Sequence, residues 1–293
     1  MAEIKEKKLA VNKSGLREYR KLQFKKFMKN KLAVVGAGIL LILLIGAIVL
    51  PLVMHLDPYE MNPAGKLQAP SASHWFGTDT LGRDVFARCT YGIKMSFVIG
   101  IITSAIAMVL GMILGLLAGY FKFLDNVIMR ICESMMAIPS MLMALALMAA
   151  FGTSMKNVVI ALAIVYTPMV ARIARSSVIS VKRQTYIDAI RAQGAGWIRI
   201  LFKHIMPNSL SPVIVQTTYT FASVIIIEAS LSYLGVGVPS VVPTLGNIIN
   251  DAKQFMLIRP SLTILPCIVM VLLVLGVNMF GDGIRDVLDP TAN

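Results

Sequence analysis

Two glutamates, Glu133 and Glu228, fall within or at the ends of long apolar runs, where a charge is expensive unless it is paired or faces water. Such carboxylates can line a pathway for a polar solute or couple its movement to protons. Local alternatives exist for both. Glu133 follows Arg130 by one helical turn, and pairing with it is the reading taken here. Glu228 serves equally well as a pathway or gate residue or as an interhelical hydrogen-bonding group. His74, Asp79 and Asp84 have the residue types of metal ligands, but Arg83 stands among them and Gly77 and Gly82 mark turns. Asp79, Arg83 and Asp84 are expected to form hydrogen bonds and salt bridges that shape a loop, and no metal is assigned there.

Other chemistry is missing from the chain. There is no Gly-x-x-x-x-Gly-Lys-Ser/Thr phosphate loop, and Gly65-Lys66 runs into leucine, so ATP is not expected to bind this chain. His-Glu-x-x-His and Gly-x-Ser-x-Gly are absent too, which argues against an intramembrane hydrolase. No catalytic residue and no cofactor is therefore assigned. Cys89, Cys132 and Cys267 lie far apart and read as packing residues. The 19 methionines are scattered, with Met135-Met136 and Met141-Met143 inside an apolar run, where flexible side chains simply pack.

The elements that position these residues are membrane spans. With 57% hydrophobic and 15% charged residues, the composition is far from that of a soluble domain. A bilayer core needs about 20 apolar residues in a helix. Six candidates follow: 32–54, 95–119, 127–151, 157–173, 213–236 and 261–280. The net charge of +13 gathers at the flanks of these runs, where it meets lipid headgroups, so a nucleic-acid partner is not expected. Residues 1–31 carry 11 Lys or Arg, and 172–204 carry seven against Asp188 alone, whereas 57–94 balance four basic residues with four acidic ones. By the positive-inside rule both termini and the 174–212 loop are cytoplasmic, with 57–94 and 237–258 outside.

Leu16, Tyr19, Leu22, Phe27 and Met28 recur at helical spacing among basic residues, predicting an interfacial amphipathic helix before the first span. Gly111, Gly115 and Gly119 clear one face of the second span for close approach by another helix. Pro139, Pro168 and Pro266 fall inside spans and are expected to kink them.

Between the fourth and fifth spans, Thr185 and Asp188 read as a capping box that starts a short helix, and Gly194 as its left-handed stop. A second apolar stripe, Trp197, Ile198, Leu201 and Ile205, runs on until Pro207 stops it. A capped helix between two anchored segments can act as a lever for a soluble partner, with Ala189 leaving room for docking. The same pattern also suits an amphipathic loop lying on the membrane.

Asp188-Ala189-Ile190, Gly194 and, after nine residues, His204-Ile205-Met206-Pro207 resemble the EAA loop of binding-protein-dependent ABC importer permeases. Asp188, Ile190, His204 and Met206 depart mildly from that pattern. The stretch from His74 through Trp75, Gly77, Asp79, Gly82, Arg83 and Asp84 to Arg88 is similar to the external signature of the peptide and nickel branch. Glu228 to Gly237 and Gly281 to Pro290 agree with it.

The resemblance implies an all-α membrane protein with a five-helix type I importer core, residues 95–281, preceded by one extra span and external loop (32–94). A basic tail, 1–31, and a C-terminal tail, 282–293, complete the division. It implies a prokaryotic cell membrane and four kinds of partner: a second permease in a heterodimer, two cytoplasmic ATPase subunits, an extracytoplasmic binding protein and the lipid bilayer. Thr185, Asp188, Ala189, Ile190, Gly194 and Pro207 would form the ATPase-coupling loop. Trp75, Gly77, Asp79, Gly82, Arg83 and Asp84 would form the external loop. Di- or oligopeptides are the expected cargo, with nickel, a metal chelate or glutathione as alternatives. A lone secondary transporter using Glu133 and Glu228, or a purely structural membrane protein, are the rivals that this loop argues against.

Overall fold

The computed structural model describes residues 27, 28 and 30–288. Of the amphipathic helix expected before the first span, only Phe27 and Met28 fall among them; the rest lies outside the described residues. Phe27 packs edge-on against Phe280, with ring centroids 5.9 Å apart.

The first span is helix α1, Lys31–Val53, started by the Asn30 side chain, which accepts from the Ala33 amide at 3.1 Å. Helix α2, Val85–Tyr120, has 36 residues, roughly 54 Å at 1.5 Å per residue. The expected span 95–119 is thus extended by ten residues at its start. Asp84 caps the helix through the Ala87 amide at 2.8 Å, so helix forms as soon as the loop delivers a cap. The excess length carries α2 beyond the hydrocarbon core into the loop region.

Expected as one span over 127–151 kinked at Pro139, the third breaks completely into α3, Lys122–Met136, and α4, Ser140–Phe151, bent by 94°. The break sits at Pro139, where the ring cannot continue the preceding helix. Helix α5, Met155–Lys182, outruns the expected 157–173 at both ends, and Pro168 lies within it. Next come α6, Thr185–Ala192, and α7, Trp197–Tyr233. A short α8, Leu245–Ala252, leads to α9, Ser261–Leu288, which contains Pro266. Residues 282–288, placed in a C-terminal tail by the sequence reading, are helical and continuous with the last span.

The glycine stripe does what its spacing predicts. A Cβ on Gly111 would lie 2.6 Å from Val170 Cβ, and one on Gly119 2.6 Å from Val178 Cγ1. One on Gly115 would collide with Ala174. Helices α2 and α5 therefore touch backbone to side chain at the centre of the fold, within a core that includes Leu162, Val170, Ala174 and Val178. A second core joins α1, the start of α2, α8 and α9 through Leu40, Ile93, Leu245, Leu262 and Leu273. Among the described residues the β structure is one isolated bridge, Thr78 to Asp84.

Candidate functional site

Short-range contacts gather at the two ends of the bundle. At one end Lys182 donates to the Tyr120 carbonyl at 2.6 Å, so the C-termini of α2 and α5 lie together beside α6. At the opposite end the 54–84 loop meets α8.

Helix α6 begins one residue earlier than the capping-box reading requires. Gln184 occupies the N-cap position in an extended conformation, Thr185 is already helical, and no side chain caps the start. Asp188 instead accepts from Arg191 Nη1 at 3.0 Å on the helix surface. Ile187 anchors the helix: it is fully buried in the core with Val178, Val181, Leu201 and Ile205. Ala189 is exposed on the outer face and Ile190 is partly buried. Gly194 adopts φ +80° with nothing near its absent Cβ, so its glycine serves the left-handed stop and not a close approach.

The stripe after Gly194 differs from expectation. Trp197 and Ile198 are exposed, while Ile200, Leu201 and Ile205 are buried. Pro207 does not stop the helix either. Residues Ile200–Ile205 form a π-helical segment, and Pro207 falls in the first turn of the α-helical stretch that follows, where its missing N–H is tolerated. The Asn208 side-chain amide donates to the His204 carbonyl at 2.6 Å and to the Tyr186 hydroxyl at 3.2 Å, tying α6 to α7.

At the other end Asp79 organises the 54–84 loop. Its Oδ1 accepts from the Leu81 and Arg83 amides at 2.8 and 3.0 Å, and its Oδ2 from Arg83 Nε and Arg88 Nη1 at 2.7 and 2.8 Å. Asp251, from α8, accepts from Arg88 Nη1 at 3.0 Å and Arg83 Nη2 at 3.3 Å. His74 Nδ1 pairs with Asp84 Oδ2 at 2.7 Å. Asp79 and His74 are thus committed to different partners. Gly77 and Gly82 both have positive φ, and a Cβ on either would collide with backbone, Gln68 and Asn62 respectively. Trp75 rests on Phe86 with centroids 4.8 Å apart.

The two glutamates differ. Glu228 is fully buried; Ser96 and Ser232 hydroxyls donate to its carboxylate oxygens at 3.1 and 2.8 Å. It ties α7 to α2, which favours the interhelical role over the pathway. Glu133 is exposed and forms no ion pair with Arg130, contrary to the sequence reading. An i,i+3 offset brings the two onto neighbouring positions of an exposed surface, where such a pair is worth little and need not form.

Sequence reasoning missed Arg88, Asp251 and the Arg175–Asp125 pair between α5 and α3, in which Arg175 Nη2 meets Asp125 Oδ2 at 2.7 Å. A signal existed for Arg88: a lone cation in the first turn of an apolar helix, four residues after a cap, needs an acid. Its second partner, Asp251, is too distant in sequence for any pattern to reveal.

Residues 92–293 match the family described as "Binding-protein-dependent transport system inner membrane component", and residues 19–70 match "N-terminal TM domain of oligopeptide transport permease C". The chain is 44% identical over 268 residues, 91% of its length, to 88% of the dipeptide transport system permease protein DppC of Alkalihalophilus pseudofirmus. Over 91% of its length it is 39% identical to 89% of the glutathione transport system permease protein GsiD of Pectobacterium atrosepticum. An inward-facing MetNI methionine ABC transporter chain shares the fold, with a TM-score of 0.57 and 18% identity over 70% of this chain and 96% of that one.

Proposed function

The chain belongs to the inner membrane components of binding-protein-dependent transport systems, and from that premise we propose that it carries di- or oligopeptides into the cytoplasm. It is a permease subunit of an ABC importer, multi-spanning and resident in the inner membrane, and such a subunit works with a substrate-binding protein and ATPase partners. Its N-terminal match to an oligopeptide permease C domain and its likeness to a dipeptide permease support peptide cargo. The 39% identity to a glutathione permease supports that tripeptide as the second reading.

Helix α6 is the ATPase-coupling lever in this reading. The observation that carries it is the helix's construction: a buried Ile187 anchor, an exposed Ala189 and a left-handed stop at Gly194. ATP-driven closure of the ATPase pair pushes α6, which moves α5 through the short Arg183–Gln184 connection and α7 through the Tyr186–His204–Asn208 ties. Spans on either side then alternate between outward and inward access. With α6 cytoplasmic, both termini are cytoplasmic and the Asp79 loop faces the binding protein. A different permease chain completes the pathway as a heterodimer. In this division 95–281 is the working core and 32–94 supplies the extra span and outer cap.

Uptake of a labelled dipeptide into cells carrying the natural chain or its Ala189→Arg variant, with ATPase co-purification measured alongside, tests this. Loss of both uptake and ATPase with membrane insertion intact is expected. Unchanged uptake and unchanged association would remove the lever assignment. Uptake of glutathione but not dipeptides by the natural chain would select the second cargo.

A further inference from the structure

A groove of about 520 Å³ opens beside α6, lined among others by Gly119, Lys122, Asp125, Lys182, Arg183 and Arg191. Its charges are unequal. Asp125 is taken by Arg175, and the other acid in its wall, Asp188, by Arg191. Lys182 is bound to the Tyr120 carbonyl and stands over the Tyr120 ring. Lys122 and Arg183 are exposed, and among the described residues neither has an ion-pair partner. The groove therefore presents two cations without a protein partner, beside Lys182, whose charge no acid offsets.

Its depth is also marked. Gly119 is on the last turn of α2, where that span ends, and the aromatic rings of Tyr120, Phe121 and Trp197 pack edge to face beside it, with centroids 5.0 and 5.5 Å apart. Aromatic side chains favour the headgroup layer of a bilayer. From there α3 carries Phe123, Val127 and Ile131 along one stripe, exposed by 80%, 49% and 58%. A stripe at i, i+4 and i+8 starting beside Lys122 offers acyl chains a path away from the cations.

We propose that this groove binds the phosphate of an anionic phospholipid headgroup, with Lys122 and Arg183 facing the phosphate and the α3 stripe receiving the acyl chains. The lipid thereby fills the space between α6 and the ends of α2 and α5. Neither the cargo nor the ATPase assignment enters this inference.

The test uses the assembled transporter in nanodiscs of phosphatidylcholine doped with phosphatidylglycerol, followed by mild delipidation and native mass spectrometry of retained lipid. The natural chain is expected to retain phosphatidylglycerol selectively, and Lys122→Ala/Arg183→Ala to hold it about 30-fold more weakly, from the usual contribution of two interfacial cations. Lys122→Arg/Arg183→Lys, which keeps the charges, and Lys203→Ala, outside the groove, are expected to retain it. Equal retention of both lipids, or of phosphatidylglycerol by the double alanine variant, overturns the proposal. Loss in the charge-keeping variant does so as well, since packing would then be responsible. Displacement of the lipid by inorganic phosphate, at matched ionic strength, would assign the groove to a free anion instead.

Discussion

Replacing Asp79 by alanine is the sharpest test of how the loop end of the bundle is built. Its carboxylate receives four donors, two of them backbone amides, and one of the others belongs to Arg88, whose side chain is 1% exposed. Removing the carboxylate leaves Arg88 buried with Asp251 as its remaining acid. Breaking a buried ion pair from one side costs about 3–5 kcal/mol when the charge is left alone; with Asp251 still paired to Arg88 the lower end, about 3 kcal/mol, applies, and the turn amides add to that only where water cannot replace the acceptor. A fall in unfolding midpoint on the order of 10 °C follows for a chain of this size. Reaction of a thiol-specific fluorophore during heating is a suitable assay, because Cys89 and Cys132 are free and buried and Cys89 adjoins Arg88. Asp84→Ala is the comparison: it removes the α2 cap and the His74 link, worth about 1 kcal/mol. Adding Arg88→Met to Asp79→Ala should restore part of the loss by removing the stranded charge. A midpoint for Asp79→Ala that matches the natural chain, or that falls less than for Asp84→Ala, would refute the assignment of Asp79 as the organiser.

Gly115→Val should cost at least the roughly 1–3 kcal/mol of overpacking, because the first added atom meets Ala174 and lies 2.8 Å from the Ala171 carbonyl oxygen. Fluorescence-detected gel filtration should show a loss of monodisperse protein, while Gly38→Ala, in open space within α1, should lose none, since alanine favours helix over glycine. Glu228→Ala strands the Ser96 and Ser232 hydroxyls, at about 1–3 kcal/mol for a buried group left unsatisfied. Glu228→Gln keeps an acceptor oxygen and should lower the same thermal midpoint less; the reverse order would exclude the interhelical role.

The spans were legible because a bilayer demands long apolar runs, and α1, α2, α5, α7 and α9 each contain one. Their ends were not, since a helix continues past its apolar stretch wherever the next residues can be capped, as at Asp84. Gly111, Gly115 and Gly119 announced a close face through spacing alone; that Val170, Ala174 and Val178 fill it is a tertiary fact. Pro139 announced a break but not an angle of 94°. Thr185 misled because a helical first-turn threonine and an N-cap threonine look alike in sequence, and the choice was made by Gln184's extended backbone. Pro207 misled because a proline ends a helix only when no following turn can take it at its start; the π segment before it supplies that start. Helix α6 itself was visible, since its signals, Asp188 to Gly194, are local. The Asp79, Arg88 and Asp251 cluster was half visible for the opposite reason: Arg88 and Asp251 are 163 positions apart.

What holds such a bundle in one register differs from what holds a soluble core. Many large apolar side chains of α1, α2 and α9 face outward, among them Leu41, Ile42, Val109, Val271 and Leu275, and in a bilayer lipid tails satisfy them as well as another helix would. Apolar surface therefore does not choose between partners. The choice falls to contacts that lipid cannot imitate. One kind is backbone approach at small residues, as where Gly36 faces Met279, Gly115 faces Ala174 and Gly246 lies against the Ala229 carbonyl. The other is a buried polar tie whose partners exist at a single offset, as with Glu228 between Ser96 and Ser232 or Arg88 between Asp79 and Asp251. Slipping α7 against α2 by one turn would leave the Glu228 carboxylate in hydrocarbon without the Ser96 hydroxyl. On α7 the Asn208–Tyr186 contact, the Tyr219 hydroxyl donating to Asp282 of α9 at 2.6 Å and the Glu228 tie to Ser96 follow one another along the chain, so the register of the helix is fixed at several levels.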